Sequence, residues 1–330
     1  MSSVRDDLGP AVSAVEGERI LAPQPAPAPG AKRARRAGGF TPYALLVPSL
    51  VVLAAITGWP LIQLLIMSFQ EFGRAQIFGA APEFVGLGNY ADVLTDPEFW
   101  QVLARSVLLA AVCVIVTMIL GILVALLMKR LGAALRTMVS VGLLLAWAMP
   151  PLSATIVWGW IFDTQYGVLN NVLSQWFGLP FAGHSWLIEP LSFFFVATII
   201  IVWGAVPFVA FTVYAGLTQV PDEVLEAAQL DGTGAFTRFR FVVVPFIRPI
   251  LAIVTILQVI WDLRVFTQIY ALQSIGGLAE QTNTLGVYIY RVSLGSGDFG
   301  AGGAISVIVV LMLAVVSVFY VRRTVKEDAL

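Results

Sequence analysis

The sequence predicts an all-α integral membrane protein with six transmembrane helices and a cytosolic helix–loop segment between the fourth and fifth. Three observations carry this expectation. Of 330 residues, 58% are hydrophobic and 12% charged, and mean hydropathy is +0.88, a balance that does not suit a water-facing surface. Apolar stretches long enough to cross a hydrocarbon core, about 20 residues for roughly 30 Å, occur at 43–69, 104–128, 137–162, 191–217, 247–273 and 302–321. Lysine and arginine then alternate between the connections. The cluster Lys32, Arg33, Arg35 and Arg36 falls on one side, with Lys129, Arg130, Arg136, Arg238, Arg240, Arg248, Arg322, Arg323 and Lys326, and only Arg74, Arg105 and Arg291 fall on the other. Under the positive-inside rule both termini are cytoplasmic.

Residues 1–41, rich in alanine and proline (Pro23, Pro25, Pro27, Pro29), read as a flexible cytosolic tail. Basic residues before an apolar run suggest a signal peptide, but 43–69 is far longer than a 7–15-residue h-region, so it reads as an uncleaved first span. Residues 42–322 form the membrane domain, with its cytosolic loop at 218–246, and 323–330 a short cytosolic C-terminal tail. Gly121, Ala125, Gly204 and Ala210 are small enough to let helices approach closely.

Several chemistries are excluded. No Gly-x-x-x-x-Gly-Lys-Ser/Thr loop occurs, so ATP is not bound here in the usual way. The one histidine, His184, rules out histidine-cluster metal sites, and no metal site is expected. The single cysteine, Cys113, lies in an apolar run and reads as a buried bystander. No span pairs a serine with a histidine or lysine base, and nothing resembles a nucleic-acid footprint.

The loop 220–249 is the most informative stretch. Pro221, the acids Asp222 and Glu223, and the stop at Gly232 predict a short helix over 221–231. Val224, Ala227 and Ala228 recur at i, i+3, i+4 as a narrow face of small side chains beside Glu226. Thr233 is placed to cap a second helix carrying Phe236, Phe239 and Val243, with Arg238 and Arg240 among them, that would end before Pro245.

Within the fifth span, 251–273, Asp262 and Arg264 are ionisable groups that cost about 2.5–3.5 kcal/mol at mid-bilayer, so they should face protein or water. On a regular helix Thr255, Gln258 and Asp262 form one stripe, and Trp261, Arg264 and Gln268 another on nearly the opposite side. One stripe would line a pathway and the other an intersubunit contact; the alternative is that both only tie this helix to its neighbours. Trp261, Trp203 and Trp147 are aromatics able to stack on a sugar ring, although packing serves equally well for each.

Glu226-Ala227-Ala228, Gly232 and then, nine residues on, Val242-Val243-Val244-Pro245 resemble the Glu-Ala-Ala motif of permease subunits in binding-protein-dependent ATP-binding-cassette importers, with valines for the usual Ile and Leu. The run Phe84, Gly86, Leu87, Asn89, Tyr90 before Asp96, Pro97, Phe99, Trp100 is similar to the maltose-type sugar-permease branch, as is 158–170. At Ser274-Ile275-Gly276-Gly277, Leu278 stands where that branch has proline. The resemblance implies that Glu226, Ala227, Ala228, Gly232 and Pro245 couple this chain to a separate ATPase. It also implies a second homologous permease, an ATPase dimer holding ATP and magnesium, and an extracytoplasmic substrate-binding protein or lipoprotein. The implied activity is import of a carbohydrate, a di- or oligosaccharide such as trehalose, by alternating access across the plasma membrane. This chain would be no enzyme and would bind no cofactor itself. Gln258, Trp261, Asp262, Arg264, Gln268 and Trp203 are the candidate substrate-pathway residues. Three alternatives stand beside this reading: a plain helix–loop–helix on the membrane surface at 220–249, a secondary sugar transporter with repeats and interrupted helices, and a non-transporting membrane scaffold.

Overall fold

The computed structural model describes residues 41–327; the expected N-terminal tail, but for its last residue, lies outside them. The chain divides into two compact units, 1–58 and 59–330. Among the described residues the first unit holds helix α1 (Thr41–Leu53) and a π-turn, Ala54–Gly58. The second begins with α2 (Trp59–Met67) and carries the remaining elements. Helices long and apolar enough to cross a membrane number five among the described residues, or six if one sharply bent pair counts as a single span.

Helix α3 (Pro97–Arg130) is longer than its expected 104–128 because the start signals lie further back. Asp96 caps it, accepting from the Glu98 amide at 2.8 Å, and Pro97 supplies the pre-set first-turn angle. At about 1.5 Å per residue its 34 residues exceed the roughly 30 Å hydrocarbon layer, so the helix extends beyond it. It packs along α6 (Pro190–Leu217), where Cys113, Ala125, Val209 and Ala210 are all fully buried. A Cβ on Gly121 would run into Val209, so the close approach requires glycine. Lys129 extends from the end of α3 to donate to the Leu217 carbonyl at 3.1 Å, satisfying one of the acceptors left open at the C-terminus of α6. Gly204 has open space around it and takes no part in such packing.

The third span is not one helix. It consists of α4 (Ala133–Ala148) and α5 (Pro151–Ile161), bent by 101° at Met149-Pro150. Two successive prolines remove two backbone donors, and the residue before a proline is pushed out of the α region: Met149 has ψ 127° and Pro150 ψ 135°.

The fifth span is also interrupted. Helix α9 (Arg248–Leu263) ends, Arg264 to Phe266 leave the helical path, and α10 (Thr267–Ser274) resumes it. No proline or glycine lies in that break. It is held from outside: the Thr284 hydroxyl donates to the freed Val265 carbonyl at 3.4 Å, and Gly286 sits so close that a Cβ would meet the same carbonyl at 3.0 Å. The Gln273 amide, donating to Thr282 and Asn283 at 3.1 and 3.2 Å, and Ser106, accepting from the Leu285 amide at 2.8 Å, hold segment 282–286 in place.

The connection after α2 includes a two-stranded antiparallel ribbon, Gln70–Glu71 with Glu83–Phe84, the one departure from an all-helical chain among the described residues. Asn89 and Tyr90, two of the motif residues, secure it. The Asn89 amide donates to the Ser68 and Gln70 carbonyls at 3.0 and 2.9 Å, and the Tyr90 hydroxyl pairs with that of Ser68 at 2.6 Å. Tyr288, on α11 (Leu285–Tyr290), donates to Asp96 at 3.0 Å; burial, and then this carboxylate, hold its phenol proton above the ordinary tyrosine range. The last helix, α12 (Phe299–Glu327), continues past the expected end of the sixth span and into the stretch read as a tail.

Candidate functional site: a cavity where two interrupted helices meet

Both helix breaks open on one cavity of ≈390 Å³, within the range of small-ligand sites. Met149 and Pro151 contribute from the first break, and Arg264, Val265 and Phe266 from the second. Trp203, Gly204 and Phe208 line it from α6, and Gln258, Trp261 and Asp262 from α9. Grooves of ≈580 and ≈700 Å³ along α3 and α6 are larger but lined almost wholly by hydrocarbon. They offer a polar solute nothing; a further polar cavity of ≈410 Å³, at Trp160, Asp163, Thr164 and Ser185, lies away from both helix breaks.

All six residues predicted for a pathway, Gln258, Trp261, Asp262, Arg264, Gln268 and Trp203, line this one space. The expected opposition of two stripes does not hold. Trp261 shares the unbroken α9 with Gln258 and Asp262, and Gln268 lies beyond the break on α10, yet all four line the same space. Thr255 stays outside it, donating to the Leu251 carbonyl at 2.7 Å and approaching the Met118 sulfur at 3.8 Å. Trp261 packs edge-to-face on Phe208 at 5.0 Å, and Trp203 on Trp158 at 6.0 Å, so each indole is held in one orientation.

The polar groups are set unusually. Gln258 is 0% exposed, and neither its amide nitrogen nor its oxygen has a hydrogen-bond partner. Asp262, one turn on and 5% exposed, has its Oδ2 buried and unpartnered. Such groups cost about 1–3 kcal/mol each, a cost that packing alone does not explain and a polar solute or a shift of α9 would relieve. Trp147 also lines the cavity. Phe208, Phe266, Thr267 and Pro151 were missed from the sequence; the proline pair at 150–151 was the one visible signal.

The loop 218–246 lies apart from this cavity. Helix α7 (Asp222–Leu230) starts one residue later than predicted, with Pro221 as its cap, and Gly232 ends it with φ +76°, as the stop signal required. Thr233 does not start the next helix. Its hydroxyl turns back to the Ala228 carbonyl, and Gly234 precedes α8 (Ala235–Arg238). The helical run does not end before Pro245 but continues to Phe246, through a π-turn at Phe239–Val243. A wider turn ahead of the proline separates its ring from the preceding carbonyls. Nor do Val224, Ala227 and Ala228 present one free face. Ala228 is buried at 8% exposure, whereas Glu226, Ala227 and Pro245 are exposed, beside Leu230 at 89% and Phe236 at 78%.

His184 is not simply solvated. Its ring packs edge-on to Trp186 at 4.8 Å, and its carbonyl accepts from Asn170 at 2.8 Å. Asn170, which also accepts from the Trp186 indole at 2.7 Å, thus ties that connection together.

Interrupted helices enclosing a polar and aromatic cavity within a membrane domain, with a separate helical loop on one connection, are the build of the membrane subunit of a solute transporter. The chain belongs to the family of binding-protein-dependent transport system inner membrane components, whose model matches residues 117–326. It is 42% identical over 298 residues to the diacetylchitobiose uptake system permease protein DasB of Streptomyces coelicolor, covering 90% of each chain. It is 31% identical to the trehalose/maltose transport system permease protein MalF of Thermococcus litoralis, covering 85% of this chain and 92% of that one. A chain in the crystal structure of a bacterial ABC transporter that imports alginate shares the fold, with a TM-score of 0.72, 18% identity and coverage of 86% and 94%. Interrupted helices, named above as a mark of secondary transporters, are thus present in a binding-protein-dependent system.

Proposed function

We propose that this chain is the permease subunit of an ATP-driven importer for a di- or oligosaccharide. It works beside a second homologous permease and an ATPase dimer that holds ATP and magnesium, and receives substrate from an extracytoplasmic binding protein. Alternating access moves the sugar past the cavity, and the ATPase docks on loop 218–246 through Glu226, Ala227 and the exposed turn at Gly232. Both termini are cytoplasmic, as the lysine and arginine placement argues. The observation that carries this reading is the cavity itself. Its aromatic faces suit the C–H face of a sugar ring, and Gln258, Asp262, Arg264 and Gln268 offer donors and acceptors for hydroxyls. Trehalose fits such a lining, and the Thermococcus relative favours it. The more similar Streptomyces relative favours diacetylchitobiose, whose acetamido groups would engage an amide and a carboxylate such as Gln258 and Asp262. Uptake of labelled trehalose, maltose and diacetylchitobiose is measured in cells with and without the gene. Gene-dependent, energy-dependent uptake of one of them is expected, and uptake of none would end the sugar reading.

A further inference from the structure

The aromatic lining does not stop at the cavity. Phe266, at the helix break, lines it, and one turn further along α10 Tyr270 stacks on Phe266 with ring centroids 5.3 Å apart and planes at 15°. Tyr290 on α11 meets both rings, at 5.4 Å and 57° to Phe266 and at 5.2 Å and 72° to Tyr270. Despite this clamping, Tyr270 remains 41% exposed. The three rings pack on one another, so each is held in orientation, while part of Tyr270 stays uncovered beside the cavity wall. The result is a rigid, uncovered aromatic face. It is continuous with the cavity wall and lies on its side away from loop 218–246, where α10 leads off from the break.

Resting on the carbohydrate reading above, we propose that Phe266, Tyr270 and Tyr290 form a second sugar position, on which one pyranose ring stacks at the mouth of the cavity before entering it. The ligand class follows from the surface. A flat ring face takes the C–H face of a pyranose, and the tyrosine hydroxyls can exchange hydrogen bonds with the sugar's rim. At ≈390 Å³ the cavity itself suits a small saccharide, so the platform is a staging position rather than part of the same pocket.

The test measures concentration-dependent uptake of labelled trehalose and diacetylchitobiose by cells carrying the complete transporter, with its membrane abundance quantified. Removal of the ring in Tyr270→Leu should raise KM roughly five- to tenfold, as loss of one stacking contact implies, with the rate at saturating sugar and the abundance held within about twofold. Tyr270→Phe and Tyr270→Trp keep a ring and should stay much closer to wild type. Equal effects of Leu and Phe, an unchanged KM in the Leu variant, or a loss of rate and abundance at constant KM would each overturn the proposal. Should Tyr270→Leu fail to accumulate, Tyr270→Trp decides: a KM raised several-fold at normal abundance refutes a stacking platform, and a KM near wild type supports it. If wild-type cells take up neither these sugars nor maltose, the carbohydrate reading itself has failed and the proposal falls with it, an outcome distinct from any variant result.

Discussion

Gln258→Leu separates a functional amide from a structural one by the sign of its effect on stability. Both polar atoms of the Gln258 side chain are buried without partners on a residue 0% exposed. At about 1–3 kcal/mol for each unsatisfied group, the amide costs the described conformation about 2 kcal/mol even at the low end. Leucine is close to glutamine in size and leaves no cavity, so the substitution should stabilise. This chain alone exceeds the 150–250-residue domains that shift about 2–4 °C per kcal/mol, so the purified complex in lipid should melt higher by a few degrees at most. Uptake should fall at unchanged abundance, because the groups left unpaired in one conformation are those a passing solute uses. Thr117→Val is the control. That hydroxyl is equally buried and unpartnered but lies on α3 outside the cavity lining, so its removal should stabilise without loss of uptake. A Gln258→Leu complex that melts lower than wild type would show that the amide has partners in the working protein. One that melts higher with full uptake would take Gln258 off the pathway.

Two further outcomes are expected. Ala227 and Ala228 should respond differently to enlargement: Ala228→Trp overpacks a site already buried within this chain, costing about 1–3 kcal/mol, and lowers thermal stability. Ala227→Trp leaves stability intact but weakens ATPase copurification and binding-protein-stimulated ATP hydrolysis, and equal behaviour of the two variants would contradict the assigned docking face. For topology, with Cys113 replaced by alanine, a cysteine at Gly132 should be shielded from an impermeant external reagent and one at Ala182 should label; the reverse pattern would invert the orientation argued from lysine and arginine.

Much of the fold was legible because it rests on length and composition. Runs of apolar residues located every span, and the Pro221-Asp222 signal marks a helix start that the structure has within a residue, whereas the start of α3 at Asp96-Pro97 lies ahead of the expected 104. Gly232 was legible for the same reason, since a stop at that point needs a positive φ. The bend at Met149-Pro150 had a visible cause that hydropathy averaging hides, because prolines in an apolar run leave the mean almost untouched. Ala228 could not have been read correctly from periodicity. The side of a short helix that faces its own chain is decided by the fold of the connection, here by the return of Thr233 to the Ala228 carbonyl.

The break at Arg264–Phe266 is the case that matters for function. Nothing local encodes it, for Leu263 to Thr267 are residues that ordinarily continue a helix. What keeps it open comes from some twenty residues further along the chain, the Thr284 hydroxyl on the Val265 carbonyl and the missing side chain of Gly286. A helix wheel drawn through 251–273 assigned Gln258 and Gln268 to different stripes, whereas both line one cavity in the structure. An unpaired backbone carbonyl inside a membrane domain is tolerated only where protein or a polar cavity satisfies it. The 282–286 segment supplies that partner, and Ser106 on α3 fixes the segment through the Leu285 amide. The cavity thus borders the break, and the break is held by a clasp from outside the helix. Residues such as Thr284 and Gly286, which touch no solute, belong to the site as much as those that line it.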